Sequence, residues 1–383
     1  MKSKVVLDKD VAFIEVKNDK NLEVTLCSFG ASFYRILYKG KNRIMTPLSH
    51  TEFYNNEQYY GKLVGRFSGR IKDAKCDING VTYTLPKNWN GINSLHGGPK
   101  GISFSNFIYE IKEEGDSIDV IFTFVEKESY LPGDVSYKIT YHIMRNIDEI
   151  KLDMEARVSK ETIVNLTNHA YWSLSSGKRT VLGEELTLGC KYHGDLDMNL
   201  IAKSIKEVDL VMDFTKGHEI GKYIDSPYLQ NHTSFGYDHF FVKTDPIDSF
   251  AALLVDREEG ISLRVDTSYP AVVVYTDNYP TKMEYENCKH EEKYQAIAIE
   301  CQYIPNGINM DNVNKAILKP GEVYKEYISY LLEDLSWEIS FFLFSKRIQN
   351  ITKMCYLCII FVVSYKKVKL FLQKCRLEND FYE

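Results

Sequence analysis

The chain has 383 residues, 44% of them hydrophobic and 26% charged, and its formal net charge is −6 at pH 7. This composition is typical of a globular protein, and the length suits one large all-β domain or two average domains. The negative charge argues against the basic surface that nucleic acids require, so no nucleic-acid partner is expected.

The start of the chain predicts a cytoplasmic location. Asp8, Lys9 and Asp10 come too early to leave room for the apolar core of a signal peptide. We therefore expect the 8 cysteines to stay reduced. Cys355 and Cys358 have CxxC spacing but lack the second ligand pair that structural zinc needs, so no metal site is expected there.

Short runs of alternating apolar and polar residues predict strands along most of the chain. These runs cover residues 11–16, 22–27, 118–125, 135–143, 150–158, 251–256, 261–266, 271–276, 295–301 and 324–330. Neither a long amphipathic helix nor a linker is evident in residues 1–335. The pattern predicts one all-β domain over 1–335, built as an antiparallel sandwich or barrel.

One of the strand-like runs is unusually polar. Within residues 162–169, alternation places Asn165, Thr167 and His169 on the same side. Burying polar groups without partners is costly. This face is therefore expected to look at water or at a polar ligand.

A second run carries an isolated carboxylate. Glu300 shares one side of its strand with Ala296, Ala298 and Gln302, and the small alanines leave room beside it. A Glu and a His on well-formed strands are the side chains that general acid–base catalysis needs. Glu300 and His169 are thus the candidate catalytic residues.

The composition changes after residue 335. Residues 336–383 hold eight Lys or Arg against four Asp or Glu, a net charge of +4. Their apolar run, 354–365, has 12 residues, fewer than the about 20 that cross a bilayer. We expect a tail of unknown role, either a docked helix or a poorly ordered appendage, with a helix on a membrane surface as the alternative.

Several polar motifs accompany the two candidate catalytic residues, and each alone has an ordinary structural explanation. In this order they resemble the aldose 1-epimerase (galactose mutarotase) family, from about residue 5 to about residue 333. The motifs are Gly65-Arg66, Gly69-Arg70-Ile71, Asn93-Ser94-Leu95-His96-Gly97-Gly98, Asn165-Leu166-Thr167-Asn168-His169-Ala170-Tyr171-Trp172, Tyr237-Asp238-His239, Pro270, Tyr275-Thr276-Asp277-Asn278, Glu300-Cys301-Gln302, Pro305, Asn309 and Leu318-Lys319-Pro320-Gly321-Glu322.

The resemblance implies a large antiparallel β-supersandwich that interconverts the α and β anomers of free aldoses such as glucose and galactose. In the family, the base matching Glu300 takes the proton of the anomeric hydroxyl, and the acid matching His169 protonates the ring oxygen. Arg70, His96 and Asp238 match residues that bind the sugar. The expected partner is a monosaccharide, and no metal or organic cofactor is expected because no redox step occurs.

Ordinary pKa values would suit these roles. A Glu with a pKa of about 4.3 is a base at neutral pH, and a His with a pKa of about 6.5 can donate a proton there. Activity is then expected to fall at low pH as Glu300 is protonated, and at high pH as His169 loses its proton.

Two departures from the family pattern bear on specificity. Gly69 stands where many members have Asn, and Val273 stands where many have a sugar-contacting Gln. Region 183–209 matches poorly, so no ligands are assigned there.

Three other functions stay open at this point. A hexose-6-phosphate epimerase would need cations for the phosphate, and Arg66 and Lys62 are the candidates. A sugar sensor would keep the cleft without turnover. A glycosidase would use two carboxylates, Asp238 and Glu300.

Overall fold

Antiparallel strands make up most of the chain. The computed structural model describes residues 1–230, 234–245 and 247–335. The predicted tail, 336–383, lies outside these residues, as do its CxxC pair and its apolar run. Residues Met1–Asp334 form one compact unit. In the part of the chain that is described, no helix has the length and apolar character needed to cross a membrane.

The strands of the first half are β1 (Lys2–Asp8), β2 (Val11–Lys17), β3 (Leu22–Cys27), β4 (Ser32–Tyr38), β5 (Lys41–Asn42), β6 (Leu63–Val64), β7 (Arg70–Ile71), β8 (Lys75–Ile78), β9 (Val81–Thr84), β10 (Ser94–Leu95), β11 (Ile108–Glu113), β12 (Ser117–Glu126), β13 (Val135–Met144) and β14 (Glu149–Val158). Those of the second half are β15 (Thr162–Ile163), β16 (Thr167–Asn168), β17 (Tyr171–Trp172), β18 (Glu185–Leu188), β19 (Cys190–Leu196), β20 (Ala202–Glu207), β21 (His218–Glu219), β22 (Asp238–Lys243), β23 (Phe250–Asp256), β24 (Ile261–Thr267), β25 (Ala271–Tyr275), β26 (Ile297–Gln302), β27 (Ile317–Leu318) and β28 (Tyr324–Asp334). Short helices interrupt them: α1 (His50–Asn55), α2 (Pro227–Gln230) and 3₁₀ turns at Lys72–Ala74, Ile102–Phe104, Val181–Gly183, Ile220–Tyr223 and Gly307–Asn309.

Three sheets contain most of the strands. Their orders are β11-β12-β13-β14-β28-β24-β23-β18-β21, β17-β26-β25-β22-β19-β20 and β1-β2-β3-β4-β5. One hydrophobic core joins them, with Val24 from the five-stranded sheet, Leu152 from the nine-stranded sheet and Val272 from the six-stranded sheet. The all-β antiparallel prediction is confirmed.

Apart from the polar run 162–169, the predicted strands agree with the observed ones except at their ends. The meander predicted over 118–158 is β12, β13 and β14, paired in register. The last strand extends four residues beyond the predicted end, from Tyr330 to Asp334. Asp334, at the end of this strand, forms a surface ion pair with Lys39 at 2.5 Å.

The polar run 162–169 differs from its prediction. It splits into β15 and β16, because β15 pairs with β27 whereas β16 pairs with β6. The side chain of Asn165 bonds the backbone of Tyr303, donating to its carbonyl at 3.2 Å and accepting from its N–H at 2.9 Å. The expectation that this whole face looks at water or ligand is therefore wrong, and His169 is the member of the face that lines a cavity.

β26 separates the core from the site. Ile297, Ile299 and Cys301 belong to the common core. The other side carries Glu300 and Gln302, which line a cavity, as the alternation predicted. A well-packed strand thus fixes the position of the carboxylate.

Lys62, which precedes β6, is a fully buried cation. Its ammonium donates to the carbonyl of Tyr54 at 3.1 Å and lies 4.4 Å from the ring centroid of Phe104. Burial lowers the pKa of this amine to about 7.

We expect Lys62→Met to stabilise the fold by about 2–4 kcal/mol near pH 6. The folded pKa of about 7 lies below the ordinary 10.5, so the unfolded chain binds more protons between these values. The destabilisation by Lys62 is complete below pH 7 and disappears as the pH rises toward 10.5. Urea unfolding at about pH 6 and about pH 9.5 measures it, with exposed Lys75→Met as the control. An equal gain at both pH values would contradict this explanation.

Candidate active site

A cavity of about 680 Å³ lies against β22, β25 and β26. Its walls include all five side chains singled out from the sequence, together with Gln302. The five are Arg70, His96, His169, Asp238 and Glu300. The deep end is buried, whereas Asn55, Glu57, Asn88 and Asn90 form an exposed mouth.

His169 and Glu300 form the centre of the buried end. His169 Nε2 lies 3.4 Å from Glu300 Oε1, and both side chains are at least 94% buried, with exposures of 6% and 3%. Burial raises the pKa of the Glu300 carboxyl to about 8, and the charge of Asp238 adds to this effect. Burial lowers the pKa of His169 to about 3, and nearby Arg70 lowers it further.

These shifts correct the protonation expected from the sequence. At neutral pH, these pKa values place a proton on the Glu300 carboxyl and leave the His169 ring neutral. The ordinary pKa values assumed for the two groups do not apply, because burial penalises both charged forms.

His96 is held in one tautomer. Its Nδ1 accepts the backbone N–H of Gly69 at 3.2 Å, and its own backbone N–H donates to the carbonyl of Gly69 at 3.1 Å. Burial lowers the pKa of His96 well below its ordinary value, so the ring is neutral. The proton of the neutral ring therefore sits on Nε2, which makes that nitrogen a hydrogen-bond donor.

This tautomer bears on metal binding. His96, His169 and Glu300 each offer a ligand atom within 4.8 Å of the others, a donor set that suits a transition metal. A His that binds a metal usually donates its second ring N–H, whereas His96 receives an N–H at that position. This arrangement favours a hydrogen-bond acceptor over a metal ion as the partner of His96 Nε2.

Arg70 and Asp238 form a second polar pair in the wall. Arg70 donates to both carboxylate oxygens of Asp238, at 3.2 and 2.7 Å. The ring of Trp89 lies 4.3 Å from the guanidinium carbon. A bidentate, stacked arginine is rigid, so the pair presents a fixed charged surface to a ligand.

Aromatic rings hold His169 in place, and the sequence did not reveal them. The Tyr171 ring stacks on His169 at 4.9 Å, and the Tyr59 ring lies 6.1 Å from it. In the sequence, Tyr171 is notable only as the second residue after His169. No pattern in the sequence indicates that Tyr59 or Trp89 belongs to the site. The positions of Tyr59 and Trp89 depend on loops that come together in the tertiary structure.

The two departures from the family pattern have structural counterparts. Gly69 has φ of +74°, and a Cβ there would lie 2.7 Å from Cβ of Pro305, so this turn has no room for a side chain. Val273 pairs directly with Glu300 across the ladder and lines the cavity. An apolar side chain at that position contributes to the desolvation of the carboxylate.

The cations suggested for phosphate binding lie elsewhere. Arg66 is buried and donates to Glu126 at 3.1 Å and to the carbonyl of Pro132 at 3.0 Å. Neither Arg66 nor Lys62 is among the described residues that line the cavity. These positions leave the phosphorylated-sugar alternative without support.

Known proteins resemble the chain over nearly all of the described unit. The family profile described as aldose 1-epimerase matches residues 12–331. Aldose 1-epimerase of Streptococcus thermophilus is 28% identical over 327 residues, which cover 82% of this chain and 91% of the relative. Galactose mutarotase of Mus musculus is 28% identical over 320 residues, which cover 81% of this chain and 90% of the relative.

Solved structures share the fold. An aldose epimerase homologue from C. elegans has 26% identity and a TM-score of 0.76, and the match covers 85% of this chain and all of the other. Galactose 1-epimerase from Lactobacillus acidophilus has 24% identity and a TM-score of 0.77, with coverage of 87% and 99%. The predicted β-supersandwich is therefore confirmed.

Proposed function

The chain belongs to the aldose 1-epimerase family, and on this premise we propose that it interconverts the α and β anomers of free aldoses such as glucose and galactose. It is an isomerase that acts on carbohydrates. The observation that carries the specific reaction is the His169–Glu300 pair, 3.4 Å apart in a cavity whose wall also holds Arg70 and Asp238.

The proposed reaction is an acid–base ring opening. Glu300 takes the proton of the O1 hydroxyl while His169 gives a proton to the ring oxygen O5. The C1–O5 bond breaks and C1=O1 forms, so the sugar becomes an open-chain aldehyde. Rotation about C1–C2 presents the other face of the aldehyde, and the reverse proton transfers close the ring as the opposite anomer.

The single proton of the pair fits this cycle. Ring opening needs an ionised Glu300 and a protonated His169, and it leaves a protonated Glu300 and a neutral His169, the arrangement that their shifted pKa values favour. A bound sugar supplies an O1 hydroxyl that donates to Glu300, and such a hydrogen bond favours the carboxylate. We infer that sugar binding makes the transfer of this proton from Glu300 to His169 easier.

A polarimetric assay tests this function. Freshly dissolved α-glucose and α-galactose should reach anomeric equilibrium much faster with the protein than without it. NMR of the anomeric protons follows the same change for each sugar. A protein that binds either sugar without accelerating the exchange would be a sugar sensor instead, and release of an alcohol from a glycoside would indicate a glycosidase.

Asp238→Asn is expected to weaken sugar binding and to shift the pH profile. The change removes a carboxylate proposed to accept sugar hydroxyls, so KM should rise about tenfold. It also removes a charge that raises the pKa of Glu300, so the alkaline limb of kcat/KM should move to lower pH. Asp195→Asn, a surface carboxylate paired with Lys206, is the control. An unchanged limb would contradict the coupling of Asp238 to Glu300.

We further propose that residues 336–383 form a segment that catalysis does not need. A chain that ends at Asp334 keeps β28 and every residue of the cavity wall. It should therefore retain full-length kcat/KM and melt at a similar temperature. An insoluble product, or a Tm many degrees lower, would show instead that the tail covers an apolar surface of the fold.

A further inference from the structure

Gln302 is a fully buried side chain in the cavity wall, two residues after Glu300. Its amide nitrogen donates to Glu300 Oε2 at 3.5 Å. Its amide oxygen is buried and has no hydrogen-bond partner among the described residues. A buried acceptor without a partner is destabilising, so this oxygen is suited to a donor on a bound molecule.

Glu300 lies between His169 and Gln302. Its Oε1 faces His169 Nε2, and its Oε2 faces the amide nitrogen of Gln302. In the proposed reaction O1 lies on Glu300 and O5 on His169. The anomeric carbon of a sugar ring has two ring neighbours, O5 and C2. With O5 on the His169 side, C2 and its hydroxyl fall on the Gln302 side.

Building on the function proposed above, we propose that Gln302 positions Glu300 through its amide nitrogen and accepts the C2 hydroxyl of the bound aldose through its amide oxygen. Both side chains stand on the same face of β26, so the backbone fixes their spacing. Val273, which pairs with Glu300 on the neighbouring strand, is apolar and offers no alternative acceptor. The site therefore selects aldoses that carry a hydroxyl on C2.

Galactose and 2-deoxygalactose, compared as substrates, test the proposal. For the wild type, removal of the C2 hydroxyl should raise KM about tenfold. For Gln302→Leu the same removal should change KM less than about twofold, because the acceptor is already gone. Gln302→Glu keeps an oxygen and should still discriminate, but its kcat should fall because Glu300 loses its donor. Cys301→Ala, on the core side of the same strand, is the control and should behave as the wild type.

A purely structural role would lower Tm in the Gln302 variants and leave the discrimination between the sugars unchanged. Tenfold discrimination by Gln302→Leu would overturn the sugar contact, and wild-type kcat in both variants would overturn the positioning role. Calorimetric binding of the two sugars to the wild type needs no variant, and equal affinities would overturn the contact as well. Binding that discriminates without any mutarotation would support the contact and refute the proposed function instead.

Discussion

Glu300→Gln is expected to lower kcat/KM for anomer exchange by at least about 10²-fold, since removing a general base typically costs this much. The amide keeps the shape of the side chain but cannot take the O1 proton. The position of β26 in the core should hold the variant side chain in place, so the fold is expected to persist. Polarimetry with α-galactose measures the loss.

Sugar binding separates this chemical effect from a damaged site. Calorimetry should give an affinity for galactose within a few-fold of the wild type, because Arg70, His96 and Asp238 are unchanged. Glu155→Gln, a substitution at a surface ion pair with Lys138, should keep normal activity. A Glu300→Gln enzyme with more than about a tenth of wild-type turnover would show that another group is the base.

His169→Asn should lower the rate between about 10²- and 10⁴-fold, the usual contribution of a positioned acid. Its pH profile is more diagnostic than its rate. In the wild type, kcat/KM should fall as the pH rises through about 8, because the pair then loses its shared proton. In the variant, only ionised Glu300 remains as a catalyst. The residual rate should therefore increase as the pH rises through the pKa of Glu300.

This inversion differs from the profile expected from the sequence. With ordinary pKa values, the loss of activity at alkaline pH would result from deprotonation of His169. With the raised pKa of Glu300, it results from loss of the proton on the Glu300 carboxyl. Rates measured from about pH 5 to about pH 10 distinguish the two assignments. A variant whose rate still falls at alkaline pH would place the acid on another group, and His96, with its ring 5.4 Å from that of His169, is the first to examine.

The sequence by itself determined the all-β class and the identity of the five candidate site residues. Strand alternation is a local property, so β12, β13 and β14 could be read from neighbouring residues. Alternation likewise placed Glu300 and Gln302 on one face of their strand. The motif order then indicated the family without any knowledge of distances.

Only the tertiary structure decided the surroundings and partners of these residues. Asn165 satisfies its amide on the backbone of Tyr303, and Arg70 pairs with Asp238, 168 residues away in the chain. The proton of the central pair resides on Glu300 because burial and the charge of Asp238 both disfavour its carboxylate. Desolvation and charge coupling depend on groups that distant segments bring together in space, and no local pattern in a sequence encodes them.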